Sequence, residues 1–344
     1  MVFAAASRER HKDFLPAGGP LWGLTLSVTA FSGYKLRVDN ILVTGGTGFI
    51  GKRLVSTLLD SGRTVTVFGR DAGRIRLEFG GKARCIPWNF LESGTWTQEL
   101  SGRDAIIHLA GEPAVGRRLT DTLKRKIRDS RVKSTRRLVD AIGQTSIKPK
   151  VLICASGVGV YGNRPSGGPL DETSPLGDDF MAEVCHEWES AAVRAELFGV
   201  RVVMARLGIV LGGRGGLIER LLPLFRTGFG GRLGSGQQPM SWISLDDVVS
   251  ALLFCAERES VRGPVNVVAP NWVSNGQFTR ALADAVQRSA LLRVPEFALK
   301  LAFGEGAEVV LGGQQVTPAL LLREGFEFRY PELPLALAAA IARS

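Results

Sequence analysis

The sequence predicts a doubly wound α/β fold with a largely parallel sheet. Three observations carry that expectation. A glycine-rich turn between Asn40 and Gly51, NILVTGGTGFIG, joins an apolar run to a helix-like segment. Beyond it, apolar runs alternate with helical patterns, the order of β-α-β units with right-handed crossovers. The runs are apolar on both faces, as strands covered by helices on both sides must be.

The elements follow in order. Ile41 to Val43 reads as the first strand and Lys52 to Ser61 as the first helix. Thr64 to Phe68, Ala83 to Pro87 and Ala105 to Leu109 read as the next three strands, the last running into Ala110-Gly111-Glu112. A long helix is expected from Asp121 to Gly143. Leu119, just before it, and Leu123, Ile127, Val132, Leu138 and Val139 within it are spaced for one apolar face, with the basic residues on the outer one. Val151 to Ala155 is a fifth strand, Phe180 to Phe198 a helix, and Gly199 to Ala205 the approach to a sixth strand. The second half is less regular. Helices are expected at Leu217 to Thr227, from Ser244 to Glu257 with acids in the first turn, and from Ser274 to Arg288. The stretch from about residue 290 has its own character. The organisation expected is therefore an extension over 1–38, a dinucleotide-binding domain over 39–289 and a small C-terminal domain over 290–344.

Gly46, Gly48 and Gly51 fit G-x-G-x-x-G, and Gly45, Gly48 and Gly51 fit G-x-x-G-x-x-G. One glycine makes the tight turn, one admits a pyrophosphate to the backbone, and one lets helix and strand pack closely. The amides at the helix start then face an anion. After the second strand an NAD site carries an acid for the ribose 2′-OH, whereas an NADP site offers an arginine to the 2′-phosphate. Here Gly69 leaves room and Arg70 can fork onto a phosphate. NADP is expected; Asp71 keeps NAD open.

Composition narrows the classes. The 344 residues are 45% hydrophobic and 22% charged, the balance of a globular protein, with a formal charge of +10. The densest basic run, Arg117 to Arg137, has the spacing of a solvated helix face and matches no nucleic-acid motif. Cys85, Cys154, Cys185 and Cys255 are far apart and read as free thiols, and His11, His108 and His186 have no metal-ligand spacing. Leu21 to Phe31 is too short and too polar to span a bilayer. A cytoplasmic location is expected. An organellar transit role for residues 1–38 stays open, with Glu9 and Asp13 against it.

At this point the chain resembles the extended short-chain dehydrogenase/reductase superfamily, of the NAD(P)-dependent epimerase/dehydratase type. The marks are TGGTGFIG from Thr44 to Gly51, His108-Leu-Ala-Gly111 and Val160-Tyr161-Gly162. More narrowly, it is similar to an atypical epimerase-like family with a C-terminal domain of unknown function. That resemblance rests on Ile127-Arg-Asp-Ser-Arg131, Phe180-Met-Ala-Glu-Val-Cys185 with Trp188-Glu189, Arg206 to Gly212, and the GFEFRYP tail. It implies a Rossmann-type domain. The pyrophosphate would lie over Gly45, Gly46, Thr47, Gly48, Phe49, Ile50 and Gly51. Gly69 and Arg70 would meet the 2′-phosphate, and Leu109 and Ala110 the adenine-side ribose. Arg131 and Val210 would complete the site.

The resemblance also implies chemistry that this chain departs from. Active relatives use a Ser or Thr after the fifth strand and a Tyr-x-x-x-Lys on the next helix, whose lysine charge lowers the tyrosine pKa. Here the helix carries no Tyr-x-x-x-Lys: Phe180 offers no hydroxyl and Val184 no charge. Counting back from Tyr161, Gly157 takes the hydroxyl's place and Ser156 is one residue early. Tyr161, Glu112 and Ser156 are the candidate proton carriers. Two functions are therefore open, an NADP-dependent oxidoreductase or epimerase with an atypical site, and a nucleotide-bound regulator or scaffold without turnover. A small-molecule substrate, no nucleic acid and no membrane are the partners implied, with the oligomeric state left open.

Overall fold

The structure is a computed structural model and describes residues 36–344, except 90, 91, 93, 115 and 116. Its centre is a parallel sheet of seven strands. These are β1 (Asn40–Thr44), β2 (Thr64–Gly69), β3 (Arg84–Pro87), β4 (Ala105–His108), β5 (Val151–Gly157), β6 (Arg201–Leu207) and β7 (Gly263–Val267). The spatial order is β7-β6-β5-β4-β1-β2-β3. The chain moves outward from β1 to β3, then returns to place β4 on the other side of β1. The crevice between the ends of β1 and β4 is the switch point of such a sheet, where ligands bind.

Side-chain alternation sorts the core into two layers. Ile41 and Val43 face a cluster with Leu54, Val55 and Leu58 of α1 (Phe49–Asp60). Val248 and Leu252, from a later helix, join the same cluster. Leu42 faces the other way, with Ile106, Leu152 and Cys154. A short helix, α2 (Ala72–Phe79), follows β2 and buries Ile75 and Phe79. The second layer is closed by α3 (Asp121–Gln144) and α4 (Phe180–Val193). α3 starts where the Thr120 hydroxyl accepts the Leu123 amide, and it buries Leu123, Ile127, Val132, Leu138 and Val139. Its Arg125, Lys126, Lys133, Arg136 and Arg137 are exposed, the solvated basic face that the periodicity predicts. The expected helix from Phe180 to Phe198 changes at Arg194 into a 3-10 turn.

One expected boundary needs correction. Residues 36–38 already belong to the packed body: the Leu36 amide donates to the Glu257 carbonyl at 2.7 Å, and Val38 is 3% exposed within the core. The boundary at 38 thus falls inside it; residues 1–35 lie outside the described ones. Residues 290–344 pack onto the residues before them. The later helices are α5 (Gly216–Arg226), α6 (Leu245–Glu257), α7 (Asn275–Ala285), α8 (Glu296–Phe303), α9 (Ala307–Leu311), α10 (Ala319–Arg323) and α11 (Leu333–Ile341). Leu333, Ala336, Leu337 and Ala340 of α11 share one buried cluster with Ile218 and Phe225 of α5 and Phe278 and Leu282 of α7. The tail also returns to the sheet's carboxyl end, where Gln315–Val316 pairs in parallel with Pro169–Leu170. The edge strand β7 was not expected. Its sequence, GPVNV, contains a proline and a buried asparagine, and neither marks a strand interior.

Candidate dinucleotide and active site

β1 delivers the chain to Gly45 at φ +69°, a backbone in which a side chain is strained. A Cβ there would stand 2.8 Å from the Leu109 carbonyl carbon and 2.9 Å from the Ala110 nitrogen. The turn therefore lies directly against the end of β4. Gly51 approaches the Gly45 carbonyl so closely that no Cβ fits. Gly48 is different. It is exposed, and only the Gly45 oxygen, at 3.1 Å, lies near its Cβ position. It precedes α1 without a side-chain cap, and the first turn of α1 carries no acid. The amides of Phe49, Ile50 and Gly51 open the helix and have no intrahelical carbonyl to bond. Free amides and the positive end of the helix thus meet above Gly48, which fits a pyrophosphate.

β2 ends at Gly69, where a Cβ would strike Ile75 at 2.7 Å. Arg70 follows and is exposed. The carboxylate of Asp71 is engaged elsewhere: it accepts the Arg74 amide at 2.9 Å and caps α2. The acid that kept a ribose 2′-OH partner open is therefore committed to a helix start. Arg70 and Arg74 leave two exposed guanidinium groups near this strand end.

The other wall of the crevice is the end of β4. His108 is completely buried between Thr44 Oγ1, 2.6 Å from Nδ1, and Thr135 Oγ1, 3.0 Å from Nε2. Thr135 spends its proton on the Arg131 carbonyl at 2.7 Å and accepts from Trp188 Nε1 at 2.9 Å. It must therefore accept from His108, which assigns the ring proton to Nε2 and leaves Nδ1 to accept from Thr44. Burial pushes the His108 pKa down to about 3, so the ring is neutral at physiological pH. Thr44 Oγ1 also accepts the Ala110 amide at 3.3 Å, which fixes the loop beyond β4. Arg131 reaches this loop from α3. Its Nη1 donates to the carbonyls of Glu112 at 2.8 Å and Ile127 at 3.2 Å, and its guanidinium carbon stands 5.1 Å over the Trp188 ring. Glu112 itself pairs with Arg117 at 2.7 Å.

The carboxyl ends of β5, β6 and β7 carry the polar groups where the sequence looks for chemistry. Ser156 donates to Glu189 Oε1 at 2.6 Å. Arg206 grips the same carboxylate through Nε at 2.9 Å and Nη2 at 2.8 Å. Its Nη1 donates to the Tyr161 hydroxyl at 2.9 Å, and that hydroxyl donates to Asn266 Oδ1 at 2.7 Å. Tyr161 is 0% exposed. Burial raises its pKa above the usual phenol range, with the Arg206 charge acting the other way. Ser156 and Tyr161 are thus joined in one buried chain, and Glu112 stands apart from it at the β4 loop. Glu189 and Arg206 entered from the sequence as marks of the family resemblance, and Asn266 was not singled out. A signal for the pairing was present: a charged residue inside an apolar strand, as Arg206 is, has to be paired.

The face that α4 turns to the end of β5 also differs from expectation. Phe180 and Val184 pack toward Leu123 and Ile127 of α3. Met181 and Cys185 look at the strand end instead. A Cβ on Gly159 would lie 3.6 Å from that of Met181, and one on Gly157 3.9 Å from Cys185 Sγ. Neither residue supplies a hydroxyl or a lysine charge. Burial pushes the Cys185 thiol up to about 11, so it is protonated at neutral pH.

The remaining cofactor candidates sit as follows. Thr47 is half-buried in the turn. The Phe49 ring is wedged among glycines, with Cβ positions of Gly212, Gly215 and Gly216 at 2.9, 2.6 and 2.7 Å from it. Gly46 packs on Val67, and Ile50 and Leu109 pack on the sheet core. Val210 belongs to a short strand, Ile209–Leu211, paired with Trp242–Ser244. Among the described residues no cluster of His, Cys, Asp and Glu forms a metal-ligand set, and no helix is long and apolar enough to cross a membrane.

Comparison with known proteins bears on both halves of this arrangement. Residues 41–269 match the NAD dependent epimerase/dehydratase family, and residues 294–340 match a domain of unknown function (DUF1731). The chain is 40% identical over 302 residues to the Epimerase family protein SDR39U1 homolog, chloroplastic, of Arabidopsis thaliana, covering 87% of this chain and 86% of that one. It is 35% identical over 303 residues to the Epimerase family protein YfhF of Bacillus subtilis, covering 88% and 98%. Among solved structures, human epimerase family protein SDR39U1 (isoform 2) with NADPH superposes at a TM-score of 0.79. It is 34% identical, and the match covers 88% of this chain and 99% of that one.

Proposed function

The chain belongs to the NAD dependent epimerase/dehydratase family, and from that premise we propose that it is an NADPH-binding oxidoreductase with an atypical active site. The observation that carries the reading is the pairing of Arg70 with a withdrawn Asp71. The turn from Gly45 to Gly51 fits a pyrophosphate, and the exposed Arg70 at the end of β2 suits a 2′-phosphate. The acid that would hold a bare ribose is capping α2. The human relative solved with NADPH supports the same cofactor.

The chemistry that NADPH supplies when bound is a hydride. The chain's own residues bind and orient. The amides of Phe49, Ile50 and Gly51 would hold the pyrophosphate, and the Thr44–His108–Thr135 chain fixes the end of β4 beside them. Arg131 brings its charge to the same loop. The side chains facing the end of β5 are Met181 and Cys185, which supports a site without the superfamily's tyrosine–lysine pair. Ser156 and Tyr161 spend their protons on Glu189 and Asn266. In this reading they position the strand ends, and protons come from water.

Titration of NADPH and NADH by nucleotide fluorescence tests the cofactor assignment. NADPH is expected to bind more tightly. Equal affinity for the two would refute it.

A further inference from the structure

The polar side chains at the substrate end of the sheet are spent on one another, and this has chemical content for what the site accepts. Ser156 is bonded to Glu189, Glu189 to Arg206, Arg206 to Tyr161, and Tyr161 to Asn266. The tail takes the remaining valences. Asn266 Nδ2 donates to the Thr317 carbonyl at 2.9 Å, Ser241 to the Gln314 carbonyl at 2.7 Å, and the Glu172 carboxylate accepts the amides of Asn266 and Leu320. Val316 is fully buried in a cluster with Tyr161, Leu170 and Cys185, and fills the space behind them.

What is left half-buried at the ends of β5 and β6 is apolar. Val158 lies between Gly157 and Gly159, Met181 faces Gly159, and Leu207 pairs with Gly157 across the sheet, with Val210 three residues on. A hydroxyl-rich sugar needs fixed hydrogen-bond partners around its reacting carbon, and Val158, Met181, Leu207 and Val210 provide none. Nor does it provide a general acid, a loss of about 10²–10⁴-fold for an ordinary ketone. Reducing a ketone leaves an alkoxide about as basic as hydroxide, whose parent water has a pKa of about 15.7. An acceptor whose reduced oxygen is phenol-like, with a pKa of about 10, does not need that acid.

We infer that the acceptor at this site is an apolar, electron-poor quinone-type carbonyl compound rather than a nucleotide sugar. The inference rests on the NADPH reading above. The step balances with solvent alone. The C4–H bond of the reduced nicotinamide breaks, and its hydride and one proton from water convert the quinone to the hydroquinone, leaving NADP+. Two electrons pass, and both quinone oxygens end as O–H. Met181 and Val158 pack on the ring, and Gly157 gives the ring its approach to the end of β5.

Calorimetric titration of the NADP+-loaded protein, in which no turnover can occur, tests this with duroquinone and with UDP-glucose. Duroquinone is fully substituted and does not alkylate thiols. Saturable duroquinone binding without UDP-glucose binding is expected. Met181→Gln should weaken duroquinone about tenfold, or ~1.4 kcal/mol, while NADP+ affinity holds. Duroquinone-dependent NADPH oxidation, read at 340 nm, should fall in parallel. Gly157→Ser, whose Cβ would meet nothing closer than 3.8 Å, should fold normally and gain reduction of a simple apolar aldehyde. NADP+ binding without duroquinone binding, or UDP-glucose competing with duroquinone, would overturn the inference alone. No NADP+ binding would remove the cofactor reading and this inference together.

Discussion

His108 is neutral in the fold and titrates near pH 6.5 once unfolded. Its native pKa of about 3 lies below that value, so between the two the unfolded chain holds the extra proton. Stability contributed by this residue is complete above pH 6.5 and is lost as pH falls towards 3, at up to ~1.4 kcal/mol per pH unit. His108→Gln should flatten the pH dependence of urea unfolding between pH 6.5 and 5, a window mostly above the carboxylates. Unchanged slopes would mean that the ring is not enclosed. Arg70→Ala should weaken NADPH by ~1–3 kcal/mol through lost charge-assisted hydrogen bonds and leave NADH unaffected, as paired titrations would read. Arg70 was legible because an arginine just after the second strand has a stated use. The commitment of Asp71 to α2 was not, since a cap and a ribose ligand occupy the same place in the chain and differ only in where the carboxylate points.

At the scale of elements, the glycine turn and α1 were readable because strand, turn and helix impose different residue choices on adjacent positions. The facing of α4 was not. The helix buries Ala182, Val184, Cys185, Trp188 and Glu189, one face a little under half its circumference at ~100° per residue, so periodicity gives the buried face but does not divide it between α3 and β5. Glu189 and Arg206 tie α4 to β6 in a pair that is 8% and 5% exposed. Glu189→Gln should cost ~3–5 kcal/mol by leaving a buried guanidinium uncompensated. Glu189→Gln with Arg206→Met should cost less than the single change. Chemical denaturation of the three proteins would decide it, and a double variant weaker than the single one would contradict the pairing. At the head of α1, Gly48→Val should abolish NADPH binding with a native circular dichroism spectrum, because its Cβ would meet only the Gly45 oxygen, at 3.1 Å, and its methyl groups would stand where the pyrophosphate is expected. Retained binding would make the turn merely structural.

Across the whole molecule, the two halves are less separable than their composition suggests. The change in character near residue 290 marks a change of sequence style and not of core, because α11 lies in the same cluster as α5 and α7. Asp247 bonds the amides of Arg329 and Tyr330 at 2.7 and 3.0 Å, and Asp246 pairs with both Arg53 of α1 and Arg343 near the carboxyl end. A chain ending at residue 289 should therefore fail to unfold cooperatively and should bind the hydrophobic dye ANS. A sharp thermal transition near that of the full chain would restore an independent domain. The parallel pairing of Gln315–Val316 with Pro169–Leu170 joins residues whose hydrogen-bonded partners, Thr317 and Leu170, are 147 positions apart. Synthesis proceeds from the amino end, so the glycine turn leaves the ribosome long before its counterpart walls are complete. The wall beside Leu170 is finished late, by chain made about 147 positions after its partner. Until Val316 arrives, Tyr161, Leu170 and Cys185 lack the side chain that helps to bury them, so an early-made wall waits on late-made chain for its cover.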